Sequence, residues 1–380
     1  MNRLQELKNP IRIQDTIGWI HKLTTELKHR TVNLMEVCGT HTMSVYRHGI
    51  KQVIPSQVHL LAGPGCPVCV TPTNIVDAAI LLAKIPQVIL TTFGDMIKVP
   101  GKESTLAIEK ANGLDIRIVY SPLDALRMAQ ENPKKEIVFI GVGFETTAPI
   151  IAATILKAEK ENITNFSVLC SHKVMPPPMK ALVESREIRI DGFICPGHVS
   201  TITGAKIYDF LARDYHIPCV VAGFEPLDIL QTIAMLLKQI LENRAEVEIQ
   251  YDRCITWNGN EKAQLVMDMV FEFCDTEWRG LGNIPGSGLR LREKFQAFDA
   301  LVKFNIPLPE SFKIPGCICG DILRGIRDSL DCRLFNNVCT PEHPIGPCMV
   351  SSEGTCAAFY KYEKKINIRQ FHAKKGRGNG

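Results

Sequence analysis

The C-terminal part of this chain concentrates thiols. Six of its 14 cysteines lie within the forty residues from Cys317 to Cys356, with 1, 12, 6, 8 and 7 residues between successive cysteines. Four thiolates from such a segment can hold a tetrahedral zinc ion or an iron–sulfur cluster. Structural zinc sites usually show two close C-x2-4-C pairs, whereas the only close pair here is C-x-C, and six thiols exceed the need of one zinc. We predict one 4Fe-4S cluster on four cysteines and a redox dithiol on the other two.

Two alternatives to the cluster stay open at this point. One is a zinc site. The other is a disulfide-stapled module, which is typical of secreted chains. The N-terminal sequence MNRLQELKNPIR is too charged for a secretion signal, so the disulfide module is disfavoured.

Three further cysteines lie in turns whose sequences suit a reactive thiol, a reversible disulfide or a metal chelate. Cys38 begins the turn CGTHT, in which Thr-His-Thr can cap a helix, and a thiol at a helix N-terminus is expected to have a lowered pKa. Cys66 and Cys69 lie in GPGCPVC, whose C-x-x-C spacing suits a reversible disulfide or a metal chelate. The competing interpretation is that these two cysteines only shape a loop.

The remaining cysteines and the polar candidates have plainer interpretations beside the functional ones. Glu145 in GFETTAP is an acid or base, or only a helix cap, and GVGF lacks the third glycine of a dinucleotide fingerprint. Three histidines are either functional or capping and core residues: His41, His172 and His198. Five cysteines are expected to be small buried hydrophobic residues: Cys170, Cys195, Cys219, Cys254 and Cys274.

The elements that must position these residues alternate between strand and helix. An amphipathic helix is predicted around Ile13 to Leu27, and short β-branched runs such as VNLMEV, QVHLLA and EIVFIGVG then alternate with helical patterns. Parallel strands need crossover connections, so this rhythm predicts an α/β protein with parallel sheets. Length favours two sheets, with a break near residues 132–136.

Conspicuous polar residues follow the predicted strands at their carboxyl ends, where open parallel sheets bind ligands. Two sheets facing each other would enclose a cleft between these residues. They are Cys38 with His41, Cys66 with Cys69, Asp95, Glu145, His172, His198 and Glu225.

Composition predicts a cytoplasmic protein without a nucleic-acid or membrane partner. Hydrophobic residues make up 45% of the 380 residues, and the longest apolar candidate, IVDAAILLAKIPQVIL, is interrupted by two charges and a proline. The net charge of +4 is misleading, because the tail from Lys361 onward carries seven Lys or Arg against one Glu. A solvated tail is the simplest interpretation, and contact with an acidic protein is the alternative.

Seven ordered motifs between Glu36 and Cys356 resemble one known family, the hydrogenase maturation factors called HypD. They are CGTHTM, GPGCPVC, TTFGDM, GFETTAP, PGHVSTITG, AGFEP and the terminal cysteine array. The resemblance implies a role in building the Fe(CN)2CO group of nickel-iron hydrogenases. It also implies a complex with the chaperone HypC and cyanide delivered by the thiocyanate carrier HypE, which HypF charges.

The resemblance further implies an architecture. It comprises two Rossmann-like domains facing a cleft, at residues 30–132 and 133–245, and an iron–sulfur domain made of residues 1–29 and 246–380, which includes the N-terminal helix. The surroundings of its 4Fe-4S cluster are expected to be similar to those in ferredoxin:thioredoxin reductase.

The same resemblance assigns roles to individual cysteines. Cys38, Cys66 and Cys69 match the iron-handling cysteines, and Cys319 and Cys348 match the redox pair beside the cluster. The cluster ligands that match are Cys317, Cys332, Cys339 and Cys356. His41 and Glu145 are expected to orient the incoming ligand.

These roles suggest a path for electrons. It runs from the cluster to Cys319 with Cys348, then to Cys66 with Cys69, and ends at an iron held by Cys38. The path requires the C-terminal segment to reach the cleft. Two rival functions use the same residues differently: a cluster-dependent disulfide reductase, and a zinc-bearing scaffold without electron transfer.

Overall fold

The computed structural model describes residue 7, residues 9–28 and residues 30–363. Most of the basic tail lies outside the described residues. The strands are β1 (Val32–Glu36), β2 (Val58–Ala62), β3 (Val88–Thr92), β4 (Ile116–Ile118), β5 (Glu136–Gly143), β6 (Phe166–Lys173), β7 (Gly192–Pro196), β8 (Cys219–Ala222), β9 (Val247–Ile249), β10 (Phe271–Trp278) and β11 (Gly282–Leu291).

Helices connect most of these strands. They are α1 (Pro10–Glu26), α2 (Gly39–Arg47), α3 (Ile50–Val53), α4 (Pro67–Val70), α5 (Thr73–Ala83), α6 (Leu106–Ala111), α7 (Pro122–Glu131), α8 (Ala148–Lys160), α9 (Pro176–Ser185), α10 (Gly197–Thr203), α11 (Asp209–Tyr215), α12 (Pro226–Leu241), α13 (Glu261–Val270), α14 (Ala300–Lys303), α15 (Cys319–Leu323) and α16 (Thr355–Tyr362). Short 3-10 turns include Gly94–Met96 and Pro347–Met349.

The first sheet is parallel throughout and has the order β2-β1-β7-β8-β9. Numbered within the sheet, this order is 2-1-3-4-5, a doubly wound arrangement whose direction reverses between β1 and β7. Ligands of such sheets bind beyond the strand ends at this switch point. Cys38 follows β1 there, and His198 follows β7.

The second sheet has the order β10-β11-β6-β5-β3-β4. Its parallel part, β4-β3-β5-β6, repeats the order 2-1-3-4, and the β10–β11 hairpin adds an antiparallel edge. The switch point lies between β3 and β5, which are followed by Asp95 and Glu145 respectively. Both sheets therefore present predicted polar residues at their switch points.

The expected α/β class with two mainly parallel sheets is confirmed, but sheet membership does not follow the predicted boundary at residue 132. The first sheet takes strands from residues 32–62 and 192–249, and the second takes strands from residues 88–173 and 271–291. The connection from β2 to β7 contains four strands of the second sheet. Two parallel strands can be joined by a crossover of any sufficient length. The sequence pattern therefore predicted where strands occur, but not which strands are neighbours in a sheet.

The predicted N-terminal helix is α1. Its Ile20 and Leu23 are buried in the core beneath the first sheet, where they join Leu34 and Ile233. Among the described residues, none of the helices has the length and apolar character to cross a membrane.

The C-terminal segment, residues 300–363, folds as short helices and turns against both sheets. One contiguous buried core contains Cys66 and Cys69 together with Cys319, Cys348 and Cys356 of this segment. Its attachment to the β10–β11 turn depends on two glycines, because a Cβ on Gly280 would lie 2.3 Å from the Cα of Gly320. The backbone of the C-terminal segment therefore packs directly against the backbone of the β10–β11 turn, next to Cys319.

Two glycines of this turn make a matched test. Gly280 (φ +84°) and Gly282 (φ +82°) both have left-handed backbones, but a Cβ on Gly282 would meet nothing within 4 Å. Gly282→Ala is expected to cost only backbone strain, about 1–2 kcal/mol. Gly280→Ala is expected to lower the free energy of unfolding by roughly a further 1–3 kcal/mol, because its Cβ would be overpacked against Gly320. Urea unfolding measures both, and equal losses would contradict this contact.

Candidate functional site

Cys38 is the N-cap residue of α2 and is buried, with 7% of its surface exposed. Burial and, to a smaller extent, the carboxylate of Glu353 together raise the pKa of its thiol to about 12. The backbone N–H groups of Thr40 and His41 lower it by less. The expected lowering of this pKa by the helix terminus is therefore wrong, because desolvation of the thiolate outweighs the helix N–H groups.

A buried carboxyl group lies beneath Cys38. Glu36 ends β1, accepts a hydrogen bond from the Cys38 backbone N–H at 3.3 Å and accepts another from the Thr42 hydroxyl. Burial raises the pKa of Glu36 to about 8. This acid holds the turn that carries Cys38 onto the strand end.

His41 is fully buried and neutral. Its Nε2 lies 2.9 Å from the carbonyl oxygen of Gly223, which only accepts, so Nε2 carries the proton and Nδ1 has the free lone pair. Nδ1 is buried and has no hydrogen-bond partner among the described residues. Burial lowers the pKa of this imidazole to about 4. Phe224 stacks between the rings of His41 and His198, so β7 and β8 contribute to the same wall.

The C-x-x-C loop touches Cys38 through the backbone. Cys66 and Cys69 are joined as a disulfide at the start of α4. The Gly39 N–H donates to the carbonyl oxygen of Gly65 at 3.0 Å, and a Cβ on Gly65 would lie 2.1 Å from the Cys38 nitrogen. Only glycine permits this approach, which brings the two cysteine motifs together.

The six C-terminal thiols surround one pocket. Its cavity volume is about 10 Å³, and its other lining residues are chiefly apolar. The six are Cys317, Cys319, Cys332, Cys339, Cys348 and Cys356. Cys317 and Cys332 are partly exposed and the other four are buried.

Contacts divide these thiols. Cys319 lies close enough to Cys317 on one side and to Cys348 on the other for each pair of thiols to perturb the other's pKa. Cys356 instead accepts from the Ser329 hydroxyl at 3.4 Å, and Cys339 accepts from the Ile345 N–H at 3.3 Å. Cys319 and Cys348 are thus neighbours, as a dithiol pair requires.

The donor set around this pocket fits an iron–sulfur cluster chemically, since thiolates in an apolar enclosure are its usual ligands. Within the described residues, no three His, Cys, Asp or Glu side chains converge closely enough for one metal ion. The six thiols line a cavity and do not converge on one metal position.

The C-terminal segment reaches both switch points. Cys69 Sγ lies 3.9 Å from the carbonyl oxygen of Pro347, the residue before Cys348. Thr40 donates to Glu353 at 2.6 Å, and the Ser351 hydroxyl donates to Asp95 at 3.5 Å. Residues 347–354, which we call the bridging segment, therefore contact the ends of β1 and β3 and the disulfide loop.

Two predicted site residues lie elsewhere. Glu145 accepts from the Met175 N–H at 2.9 Å, its Oε2 has no partner among the described residues, and burial raises its pKa to about 7. His172 lies within β6 rather than beyond it, with Nδ1 3.3 Å from Cys170 Sγ, and burial lowers its pKa to about 3. Neither contact involves Cys38.

The expectation of buried cysteines holds only in part. Cys195 and Cys219 are fully buried, whereas Cys170 and Cys274 are partly exposed and Cys254 is exposed. Cys254 lies in a loop outside the sheets, so no core covers it.

Sequence reasoning missed Glu36 and Glu353. Glu36 had a usable signal, because a carboxylate in the apolar run VNLMEV must find partners when buried. Glu353 had none, since its partner Thr40 is 313 residues away.

A family model described as "HypD: Hydrogenase formation hypA family" matches residues 12–363. The chain belongs to the HypD family. Several relatives of this chain are named hydrogenase maturation factor HypD. The one from Rhizobium leguminosarum bv. viciae is 46% identical over 91% of this chain and 92% of its own length. The one from Escherichia coli K12 is 43% identical over 96% of this chain and 99% of its own length.

A third relative, hydrogenase maturation factor HypD2 of Bradyrhizobium diazoefficiens, is 48% identical over 89% of this chain and 91% of its own length. The resemblance to HypD proteins is thus confirmed, and membership supports a role in hydrogenase maturation.

Glu145 gives a pH prediction for this HypD-family chain. Its folded pKa of about 7 exceeds the ordinary 4.5, so the stability that its protonated form contributes is complete below pH 4.5 and is lost as pH rises through 7. Glu145→Gln keeps the acceptor for Met175 without the charge. As the pH rises, the free energy of unfolding of the variant is expected to increase relative to that of wild type, by on the order of 3 kcal/mol. Urea unfolding between pH 5 and 8 measures this gain, with exposed Glu131→Gln as control; a pH-independent difference would refute it.

Proposed function

We propose that this chain is the scaffold and redox component that assembles the Fe(CN)2CO group of nickel-iron hydrogenase, together with HypC and with cyanide from HypE. One observation carries the proposal: Cys69 Sγ lies 3.9 Å from the backbone carbonyl oxygen of Pro347, the residue before Cys348, while Gly65 joins the same loop to the backbone of Cys38. The three sets of cysteines are thus consecutive in space, although the sequence separates them.

The residues that would hold a 4Fe-4S cluster are Cys317, Cys332, Cys339 and Cys356. Such a cluster supplies electrons one at a time. Cys319 and Cys348 are neighbours and can store a pair of electrons as a dithiol. This division of six thiols is supported by the separate contacts of Cys356 and Cys339.

Electrons pass onward by thiol–disulfide exchange. A thiolate of the Cys319–Cys348 pair attacks the Cys66–Cys69 disulfide, a mixed disulfide forms, and the second thiol resolves it. The C-terminal pair ends oxidised and the loop pair ends reduced, so two electrons and two protons have moved. The contact between Cys69 and Pro347 supports Cys69 as the sulfur under attack.

The reduced loop then releases cyanide from the carrier. The sulfur–carbon bond of the thiocyanate breaks, two electrons and two protons leave the Cys66 and Cys69 thiols, and the products are a disulfide, a carrier thiol and hydrogen cyanide. Iron is the substrate that receives the cyanide. Cys38 is its protein ligand, since thiolates suit soft metal centres, and the free Nδ1 of buried His41 is a further donor on the same helix. We expect HypC to add a cysteine across the interface.

A loop-cysteine variant tests the route. Cys66→Ser removes the disulfide, so cyanide transfer in a reconstituted assay with HypC, HypE and this chain is expected to fall to background. Infrared cyanide and carbonyl bands report the iron group. Cys254→Ser, at an exposed cysteine far along the chain, is the matched control. Unchanged transfer by Cys66→Ser would end the proposed route.

Two further measurements separate the rival functions. Oxygen-free protein is expected to be brown and to contain iron with acid-labile sulfide, whereas a zinc scaffold would be colourless. A cluster-dependent disulfide reductase would turn over disulfide substrates without HypC or HypE, and Cys38→Ser would leave that turnover intact.

A further inference from the structure

The turn after β8 holds the helix that Cys38 caps. Gly223 and Phe224 of this turn present successive carbonyl oxygens to α2. The Gly223 carbonyl oxygen accepts from His41 Nε2 at 2.9 Å. The Phe224 carbonyl oxygen accepts from the Ser44 hydroxyl at 2.8 Å. His41 and Ser44 are three residues apart and so share one face of the helix. The turn therefore fixes one edge of the His41 ring.

The aromatic side chain of the same turn fixes the plane of that ring. Phe224 stacks on His41 with 4.8 Å between the ring centroids, and it also stacks on His198 at 3.9 Å. Tyr251 packs edge-on against Phe224 at 5.9 Å. His41 thus has a hydrogen bond at its edge and an aromatic ring against its face, and both come from one turn.

The amide of Gln250 holds this turn from the side away from α2. Its Oε1 accepts from the Gly223 backbone N–H at 3.1 Å, and its Nε2 donates to Asp228 Oδ1 at 2.9 Å. A backbone N–H only donates and a carboxylate only accepts, so the link needs a side chain that does both. The same requirement fixes the orientation of the Gln250 amide.

Asp228 anchors the network. Its side chain is fully buried and accepts two hydrogen bonds from Arg253, at 2.9 and 2.6 Å, and one from the Glu225 N–H at 3.2 Å. A Cβ on Gly223 would lie 2.3 Å from Asp228 Oδ2, so the carboxylate lies directly against the turn. Capping α12 needs only the Glu225 contact. The bond to Gln250 extends the network to the carbonyl that holds His41.

The other nitrogen of His41 shows what the network leaves available. Nδ1 is buried and has no hydrogen-bond partner among the described residues. A buried acceptor left unpaired costs free energy, so its retention points to a ligand. Histidines that bind metals almost always donate their other ring N–H to a carbonyl or carboxylate, which fixes the tautomer. His41 has this arrangement through Gly223.

We propose that Gln250 and Asp228 are positioning residues for a metal ion bound at His41. Through Gly223 they keep the His41 proton on Nε2 and direct the Nδ1 lone pair to the metal, which neither of them touches. The inference rests on the proposed function for the identity of that metal, the iron handled at Cys38. It adds the residues that make His41 a donor.

The first experiment measures the tautomer in full-length, metal-free protein. Histidine is labelled with ¹⁵N, long-range ¹⁵N–¹H spectra are recorded at neutral pH, and His41→Gln identifies the His41 signals. Wild type is expected to show only the form protonated at Nε2. Gln250→Met keeps the length of the side chain but removes its donor and acceptor. The turn is then free to move away from Nε2, so a measurable fraction of His41 protonated at Nδ1 is expected.

The second experiment measures metal binding at the same residue. Cd²⁺ is the probe, because a soft ion suits thiolate and imidazole donors. A chelator buffer sets the free Cd²⁺ concentration, and the His41 Nδ1 signal reports binding there whatever the other thiols bind. Wild type is expected to show a Cd²⁺-dependent shift of this signal. Gln250→Met is expected to need about tenfold more free Cd²⁺ for half-saturation.

The matched control is Gln130→Met. Gln130 is an exposed amide on α7 that likewise donates to a carboxylate, that of Glu161 at 2.8 Å, and the variant is expected to match wild type. Either an unchanged tautomer or an unchanged Cd²⁺ midpoint in Gln250→Met would overturn the proposal. So would a wild-type Nδ1 signal that Cd²⁺ does not shift. If circular dichroism shows that Gln250→Met does not fold, Gln250→Glu decides by the same readouts, since its ionised carboxylate offers Asp228 no donor.

These readouts separate the inference from the proposed function, because neither involves cyanide, HypC or HypE. A wild-type chain that binds Cd²⁺ at His41 but transfers no cyanide would refute the proposed function and support the role of Gln250 if the variant binds more weakly. Cyanide transfer by wild type, with an unchanged His41 tautomer in Gln250→Met, would refute this inference alone.

Discussion

Close backbone contact between distant segments is the constraint on which this structure depends. Gly65 lies against the backbone of Cys38, and Gly280 lies against Gly320, in each case at a distance that excludes a Cβ atom. Side chains alone would hold these segments several ångströms further apart. These contacts bring the cysteine motifs of distant segments close together.

Burial is the second determinant, because it sets the charge of the site. The pKa is about 12 for Cys38, about 8 for Glu36 and about 4 for His41, and desolvation is the largest cause in each case. All three groups are therefore neutral near pH 7, and burial thus leaves them without a formal charge.

The fold was predictable where the information is local. The alternating runs predicted α1 and the strands from β1 to β8, because side-chain periodicity is read within a few residues. The pairing of β1 with β7 and the insertion of the second sheet between β2 and β7 were not predictable. Both depend on which faces bury most apolar surface in the whole molecule. The β10–β11 hairpin was missed because its strands carry many polar residues, as an edge allows.

The sequence by itself determined the chemical inventory of the site: Cys38 beyond a strand, Cys66 with Cys69 in a stiff loop, and six thiols in one segment. These follow from spacing along the chain, which folding does not alter. Only the tertiary structure decided that Glu353 reaches the α2 terminus, that Glu145 turns to Met175, and that the Cys38 thiol is hard to ionise. Proximity and desolvation arise from contacts between residues far apart in sequence, and no local pattern records them.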